Sequence, residues 1–153
     1  MTSKDKQILF RVAQWVDCNR KELKTIRQLA ETEENYLIII REVDRVKTQL
    51  HQARSLGADA TLTLVEWLIT LEDFGWRCAY CQARSFQVMC HVISLPEGGT
   101  IPENCVPACY GCKTRYKNDQ QVQDRIQTYL ANRKNKKDAM LYSHRASSST
   151  PLS

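Results

Sequence analysis

Two pairs of cysteines constrain most strongly what this chain can fold into. Cys78 and Cys81 form one C-x2-C pair, and Cys109 and Cys112 form a second pair after 27 intervening residues. A gap of two residues allows a tight turn to direct both thiolates at one ion, and two such turns complete a tetrahedral zinc site. Four sulfurs leave no open coordination position, so the spacing predicts a structural Zn²⁺. Four unrelated buried cysteines are the alternative interpretation.

Other features of the chain exclude several classes of protein. The longest uninterrupted apolar run covers residues 36–40, far short of the roughly 20 residues that span a membrane. The N-terminal residues do not lead into the apolar core and cleavage site of a secretory signal. We therefore expect an intracellular protein that is not secreted, in which the seven cysteines are metal ligands or buried thiols rather than disulfides. Cys18, within a predicted helix, is expected to be buried.

Residues 1–57 form the first unit that the sequence predicts, a helical arm. No glycine or proline precedes Gly57, and apolar residues recur every three or four positions, as in helices and coiled coils. Two series carry this pattern: Val12, Val16, Leu23, Ile26 and Ala30, and then Tyr36, Ile39, Val43, Val46, Leu50 and Ala53. The pattern predicts two long helices that fold back on each other as a hairpin, or that pair with a protein partner or a second copy of the chain.

Residues 58–132 carry the signals of a mixed unit. After a short linker, Thr63 and Glu66 fit a capping box at the start of a helix, and Gly75 stands where a glycine ends one. Apolar and polar residues alternate from 86 to 92 as in a strand, glycines and prolines from 96 to 107 indicate a loop, and helical spacing returns at residues 122–130. The fold class predicted is α+β, with the arm preceding a zinc-stabilised domain. Residues 133–153 are expected to form a basic, disordered tail.

Charge is distributed unevenly along the chain. The central residues 59–112 hold 2 basic and 6 acidic side chains, whereas residues 113–153 hold 9 basic and 3 acidic ones. Attraction to the phosphates of a nucleic acid must therefore come from the flanks. The candidate phosphate-binding residues are Arg115, Lys117, Arg133, Lys134, Lys136 and Lys137. A merely solvated basic tail is the alternative for the last four.

The order of motifs in residues 58–132, about half of the chain, resembles the HNH endonucleases. The matching stretches are residues 76–81 with the first cysteine pair, residues 90–99 with a strand histidine and a Gly-Gly loop, and residues 104–113 with an asparagine and the second cysteine pair. The resemblance implies a ββα-metal fold that carries a structural zinc. It also implies phosphodiester hydrolysis by a histidine general base and one divalent cation.

The resemblance assigns catalytic roles to His91 and Asn104 but not to two of their neighbours. It implies that His91 is the general base and that Asn104 helps to orient it. Cys90 stands where the family has an acidic metal ligand, and Lys113 stands where it has a second ligand, Asn or His. Mg²⁺ selects hard oxygen ligands. An ammonium group about 4 Å from a divalent ion is repelled by roughly 8 kcal/mol at an effective dielectric constant of 20.

Three functions follow from these residues. We favour a DNA-binding zinc protein of the HNH endonuclease family whose metal-dependent hydrolysis is weakened or lost. The second is an active HNH endonuclease that nicks or cleaves DNA with Mg²⁺ or another divalent cation and His91 as general base. A slow, metal-free variant of it would use Lys113 to neutralise the phosphate. The third is a protein-interaction module in which the arm binds a partner and the zinc domain is a scaffold.

Overall fold

The computed structural model describes residues 1–133, which form helices and one small sheet. The elements are α1 (Ser3–Cys18), α2 (Leu23–Ala30), α3 (Glu33–Ser55), α4 (Leu64–Asp73), β1 (Val88–His91), β2 (Cys105–Ala108), α5 (Tyr110–Arg115) and α6 (residues 120–133). The predicted α+β class is confirmed. Within the described residues, no helix combines the length and the apolar character that crossing a membrane requires.

The N-terminal region has three helices, so the prediction of two long helices is wrong. The first predicted helix is interrupted after Cys18, because the Asn19 side-chain amide donates to the Trp15 carbonyl at 2.8 Å. That carbonyl would otherwise accept the Asn19 backbone N–H in a continuing helix. The backbone of Asn19 is extended, and α2 starts only at Leu23. Cys18 was expected to be buried, but it is exposed, because it is the last residue of α1.

The apolar stripes of the first three helices are buried in a core that also includes later parts of the chain. This helical core contains Ile8, Leu9, Val12, Ala13, Ile26, Ala30, Tyr36, Ile39, Val43, Val46, Leu62, Leu64, Trp67, Leu68, Leu71, Met89 and Cys105. Polar contacts add to it, since the Asp17 carboxylate accepts the backbone N–H groups of Leu64 and Val65, each at 2.9 Å. The N-terminal helices thus pack directly on α4 and on the sheet.

The two ends of α4 follow the predicted sequence signals. The Thr63 hydroxyl accepts the Glu66 N–H at 3.1 Å, and the Glu66 carboxylate accepts the Thr63 N–H at 3.0 Å, which completes the capping box. Gly75 has φ +62° at the other end, a conformation that glycine adopts without strain. The N–H groups of Gly75 and of the next residue bond back into the last turn, as in a Schellman motif.

The sheet consists of β1 and β2, which pair antiparallel with His91 opposite Cys105. Its two faces contact different clusters. Met89 and Cys105 belong to the helical core, whereas Cys90 and Val106 belong to a second cluster near the cysteine pairs. The predicted strand is therefore present but covered on both sides, and its residues do not alternate between core and solvent. The second cluster also buries two residues of α6, Ile126 and Leu130, which confirms the predicted helical spacing there.

Candidate metal centre and adjoining cleft

The four cysteines of the two C-x2-C pairs come together at one point. Cys78 and Cys81 lie in the turn region that follows α4, Cys109 is the residue directly before α5, and Cys112 lies in the first turn of α5. Their sulfur atoms all lie within 4.8 Å of one another. A tetrahedral ion with metal–sulfur bonds of about 2.3 Å needs sulfurs roughly 3.8 Å apart. The four thiolates can therefore enclose one metal ion with small adjustments, and they leave it no free position.

Backbone N–H groups favour the thiolate form of two of these cysteines. The N–H groups of Arg84 and Ala83 point at Cys81 and lower the pKa of its thiol to about 6. The N–H of Cys112 lowers the pKa of Cys109 in the same way. Because metals bind the thiolate, such donors favour the binding form.

The turn itself is tightly held. The Gln82 N–H bonds to the Cys78 carbonyl at 2.9 Å, and the Ala79 N–H bonds to the Pro107 carbonyl of β2 at 2.8 Å. Gln82 has φ +59°, a left-handed backbone conformation that residues other than glycine seldom adopt. The turn thus fixes the first cysteine pair against the strand that leads to the second pair.

A cleft of about 490 Å³ is lined by three of the four positions that the family resemblance singles out, Cys90, His91 and Lys113. Cys90 and His91 of β1 line it together with Lys113 of α5 and Lys117, and the charge of Lys113 acts on both Cys90 and His91. The remaining lining residues are Gln49, Gln52, Leu56, Tyr80, Met89, Val92, Ser94, Leu95, Thr114, Tyr116 and Gln123. No Asp or Glu is among the described residues that line this cleft. The cleft therefore offers positive charge and amide groups, and no carboxylate for a hard cation.

The surroundings of His91 in this cleft favour its neutral form. Burial lowers the pKa of its imidazole, and the positive charge of Lys113 lowers it further. Its Nε2 atom lies 2.9 Å from the hydroxyl oxygen of Thr100. A neutral imidazole keeps one nitrogen free of protons, so it can accept a hydrogen bond or a proton.

The thiol of Cys90 is also uncharged. It is 8 % exposed, and burial raises its pKa although Lys113 and the Tyr80 hydroxyl act in the opposite direction. The Tyr80 oxygen lies 3.6 Å from its sulfur. A buried neutral thiol is a poor ligand for Mg²⁺. Cys90 therefore cannot bind such a cation as a carboxylate would.

Asn104 does not line the cleft but holds the loop that follows His91. Its side chain accepts the Ile93 N–H at 2.8 Å and donates to the carbonyls of Ile93 and Gly99, each at 2.9 Å. Gly98 is required in this loop, because a Cβ there would lie 2.2 Å from the Ile93 carbonyl oxygen. All three side-chain bonds of Asn104 go to the loop backbone, so it shapes the loop after His91 and makes no direct bond to the imidazole.

The predicted phosphate-binding residues fall into three groups. Lys117 lines the cleft, and Arg115 is exposed on α5 nearby. Arg133 instead binds within the protein, since its guanidinium donates to Thr70 at 2.9 Å and to Asp73 at 3.1 Å. These bonds tie α6 to α4 and engage the guanidinium away from the cleft. Lys134, Lys136 and Lys137 lie outside the described residues, as does the rest of the predicted tail.

Sequence reasoning missed the contribution of the N-terminal helices to this site. Gln49 and Gln52, on α3, form one wall of the cleft, and Thr100 contacts both His91 and the Gln49 carbonyl. A threonine and two glutamines of this kind are common on protein surfaces, and no spacing marks them. Only the packing of α3 against the sheet makes them part of the site.

Comparison of the chain with protein-family models, with curated proteins and with solved structures finds no match. The assignment of a function therefore depends on the residues of the metal centre and the cleft.

Proposed function

We propose that this chain is a DNA-binding zinc protein with an HNH-like ββα domain whose metal-dependent phosphodiester hydrolysis is weakened or lost. The observation that carries the proposal is the composition of the cleft. A strand histidine, His91, lines the cleft together with two lysines, Lys113 and Lys117, near a four-cysteine centre, and no carboxylate of the described residues lines the same cleft.

Zinc is the ion that best fits the four-cysteine centre. Four thiolates around one point are typical of structural zinc sites, and soft sulfur ligands disfavour Mg²⁺ and Ca²⁺. When bound, the ion would crosslink the turn after α4 to the start of α5 and so fix the two walls that meet at the cleft. It would perform no hydrolysis itself, because its coordination would be complete.

The same chemistry argues against a second, catalytic cation. Cys90 offers a neutral thiol where a carboxylate is needed, and Lys113 adds a positive charge at the cleft. These groups disfavour a divalent ion, and the ammonium group attracts a phosphate. The amide side chains of Gln49 and Gln52, which also line the cleft, can donate hydrogen bonds to phosphate oxygens or to base edges. The cleft therefore suits binding to a nucleic acid more than cleavage of it.

One observation favours the second function, an active endonuclease with His91 as general base. The pKa of His91 is lowered, mainly by burial, and an uncharged imidazole is the form that accepts a proton from water. Cleavage would still need a cation or a substitute for it, such as the ammonium group of Lys113.

Binding to a short DNA duplex at several salt concentrations tests the proposal. Lys113→Gln combined with Lys117→Gln should lower the affinity and reduce the slope of log K against log salt by about 2, roughly one for each phosphate that no longer pairs with a lysine. Lys24→Gln is the control, because Lys24 is an exposed lysine on α2 that does not line the cleft. Equal affinity and slope for the wild type and the double variant would contradict a cleft-centred mode of DNA binding.

A further inference from the structure

The side chain of Thr100 connects His91 to the N-terminal helices. Thr100 is completely buried, and its hydroxyl oxygen lies 2.9 Å from His91 Nε2 and 3.1 Å from the backbone carbonyl oxygen of Gln49. The three groups form a chain of two hydrogen bonds that runs from β1 to the C-terminal half of α3.

The direction of these two bonds follows from the number of protons. A carbonyl oxygen can only accept, so the single hydroxyl proton of Thr100 must be donated to Gln49. The hydroxyl then has only lone pairs for His91, and the Nε2 atom of the imidazole must carry the proton between them. In a neutral imidazole the other nitrogen, Nδ1, is consequently the unprotonated one.

Thr100 is itself fixed in place by its backbone. Its N–H donates to the Asp59 carbonyl at 2.8 Å, and its carbonyl accepts the N–H groups of Thr61 and Leu62, each at 3.0 Å. The neighbouring Gly99 lies so close to this segment that a Cβ there would be 2.7 Å from the Asp59 carbonyl oxygen. The hydroxyl therefore has a defined position, and the histidine orients to it.

We propose that Thr100 is a positioning residue that fixes His91 in the Nε2-protonated form and leaves Nδ1 as the acceptor for an O–H group in the cleft, such as a water molecule beside a bound phosphate. The identity of that ligand depends on the proposed function. The position of the proton on His91 does not depend on the proposed function, because both partners of the Thr100 hydroxyl belong to the protein.

Long-range ¹H–¹⁵N spectra of the histidine rings test this arrangement in the ¹⁵N-labelled, zinc-loaded full chain. His91→Gln identifies the His91 signals, and exposed His51 provides an internal reference. Above the titration range of histidine, we expect a protonated Nε2 and a bare Nδ1 at His91. We also expect a directly visible Nε2–H proton, because a buried, hydrogen-bonded proton exchanges slowly. His51 should show no such proton.

Two substitutions separate positioning from general structural support. Thr100→Val keeps the shape but removes the hydroxyl, so the visible Nε2–H proton should be lost, whereas Thr100→Ser should retain it. Zinc content and thermal unfolding report whether each variant is folded. If Thr100→Val does not fold, the wild-type spectrum still decides, since a protonated Nδ1 or the lack of a protected Nε2–H proton would overturn the proposal.

Adding a short DNA duplex to the labelled protein tests the ligand separately. Binding at the cleft should shift the Nδ1 signal of His91 and leave its Nε2 proton in place. A duplex that does not bind would contradict the proposed function while the proton arrangement stood. A duplex that binds without moving the Nδ1 signal would overturn the assignment of Nδ1 as the acceptor.

Discussion

The carboxylate of Glu42 is a buried polar group that joins α3 to α4. It is 2 % exposed, and one of its oxygens accepts the indole N–H of Trp67 at 2.9 Å and the Nε–H of Arg45 at 2.8 Å. Trp67 is completely buried in α4. Replacing Glu42 with alanine would leave the indole N–H without an acceptor and the guanidinium without its counter-ion.

The magnitude of this loss follows from the two groups left behind. Removing one partner of a buried ion pair costs about 3–5 kcal/mol, and a buried unpaired N–H costs about 1–3 kcal/mol; the two costs overlap because one oxygen serves both donors. Arg45 is 18 % exposed, still donates to the Gln87 carbonyl and still lies over the Phe86 ring. We therefore expect Glu42→Ala to lower the free energy of unfolding by about 3 kcal/mol, or roughly 10 °C in Tm.

Urea unfolding in saturating zinc, followed by circular dichroism and by tryptophan fluorescence, measures this difference. Glu42→Gln is the matched control, because its amide oxygen can still accept the indole N–H while the charge is removed. It should cost clearly less than alanine. A loss below about 1 kcal/mol in Glu42→Ala, or equal losses in the two variants, would refute the reasoning from unpaired buried donors.

Two further predictions concern the metal and the histidine. One equivalent of Zn²⁺ should co-purify with the protein, and Cys81→Ser should lower both the zinc content and Tm, whereas Cys18→Ser, at an exposed cysteine outside the cluster, should change neither; folded protein without bound metal would contradict the zinc assignment. Burial, and then the charge of Lys113, lower the pKa of His91, so the unfolded chain binds a proton there at a higher pH than the folded protein does. The contribution of His91 to the free energy of unfolding should be fully present at pH values above about 6.5, the ordinary pKa of histidine. It should be lost as the pH falls below that value. His91→Gln should flatten that part of the stability profile, and an unchanged slope in His91→Gln would show that His91 titrates normally.

The parts of the fold that were predictable from the sequence are those that local chemistry determines. The cysteine spacing, the Thr63–Glu66 capping box and Gly75 after α4 each act within a few residues. The geometry of each C-x2-C turn, of the cap and of the helix end is set mainly by a few neighbouring residues, so the sequence pattern identifies it.

The features that could not be predicted depend on single side-chain choices or on distant contacts. Asn19 lies in register with an apolar stripe, yet its amide takes the carbonyl that would have continued the helix. Thr100 and Gln49 are 51 positions apart and meet only after α3 has packed on the sheet. Periodicity records which face of a helix is apolar, but not which other element covers it.

The measurement that tests the central claim most directly is plasmid nicking with Mg²⁺ or Mn²⁺ by four forms of the zinc-loaded protein. These are the wild type, His91→Ala, the double variant Cys90→Asp with Lys113→Asn, and that double variant with His91→Ala added. The wild type should bind DNA with little or no metal-dependent nicking, the double variant should nick faster, and His91→Ala should remove the gain. Robust Mg²⁺-dependent nicking by the wild type that disappears in His91→Ala would contradict the account and make the chain an active endonuclease.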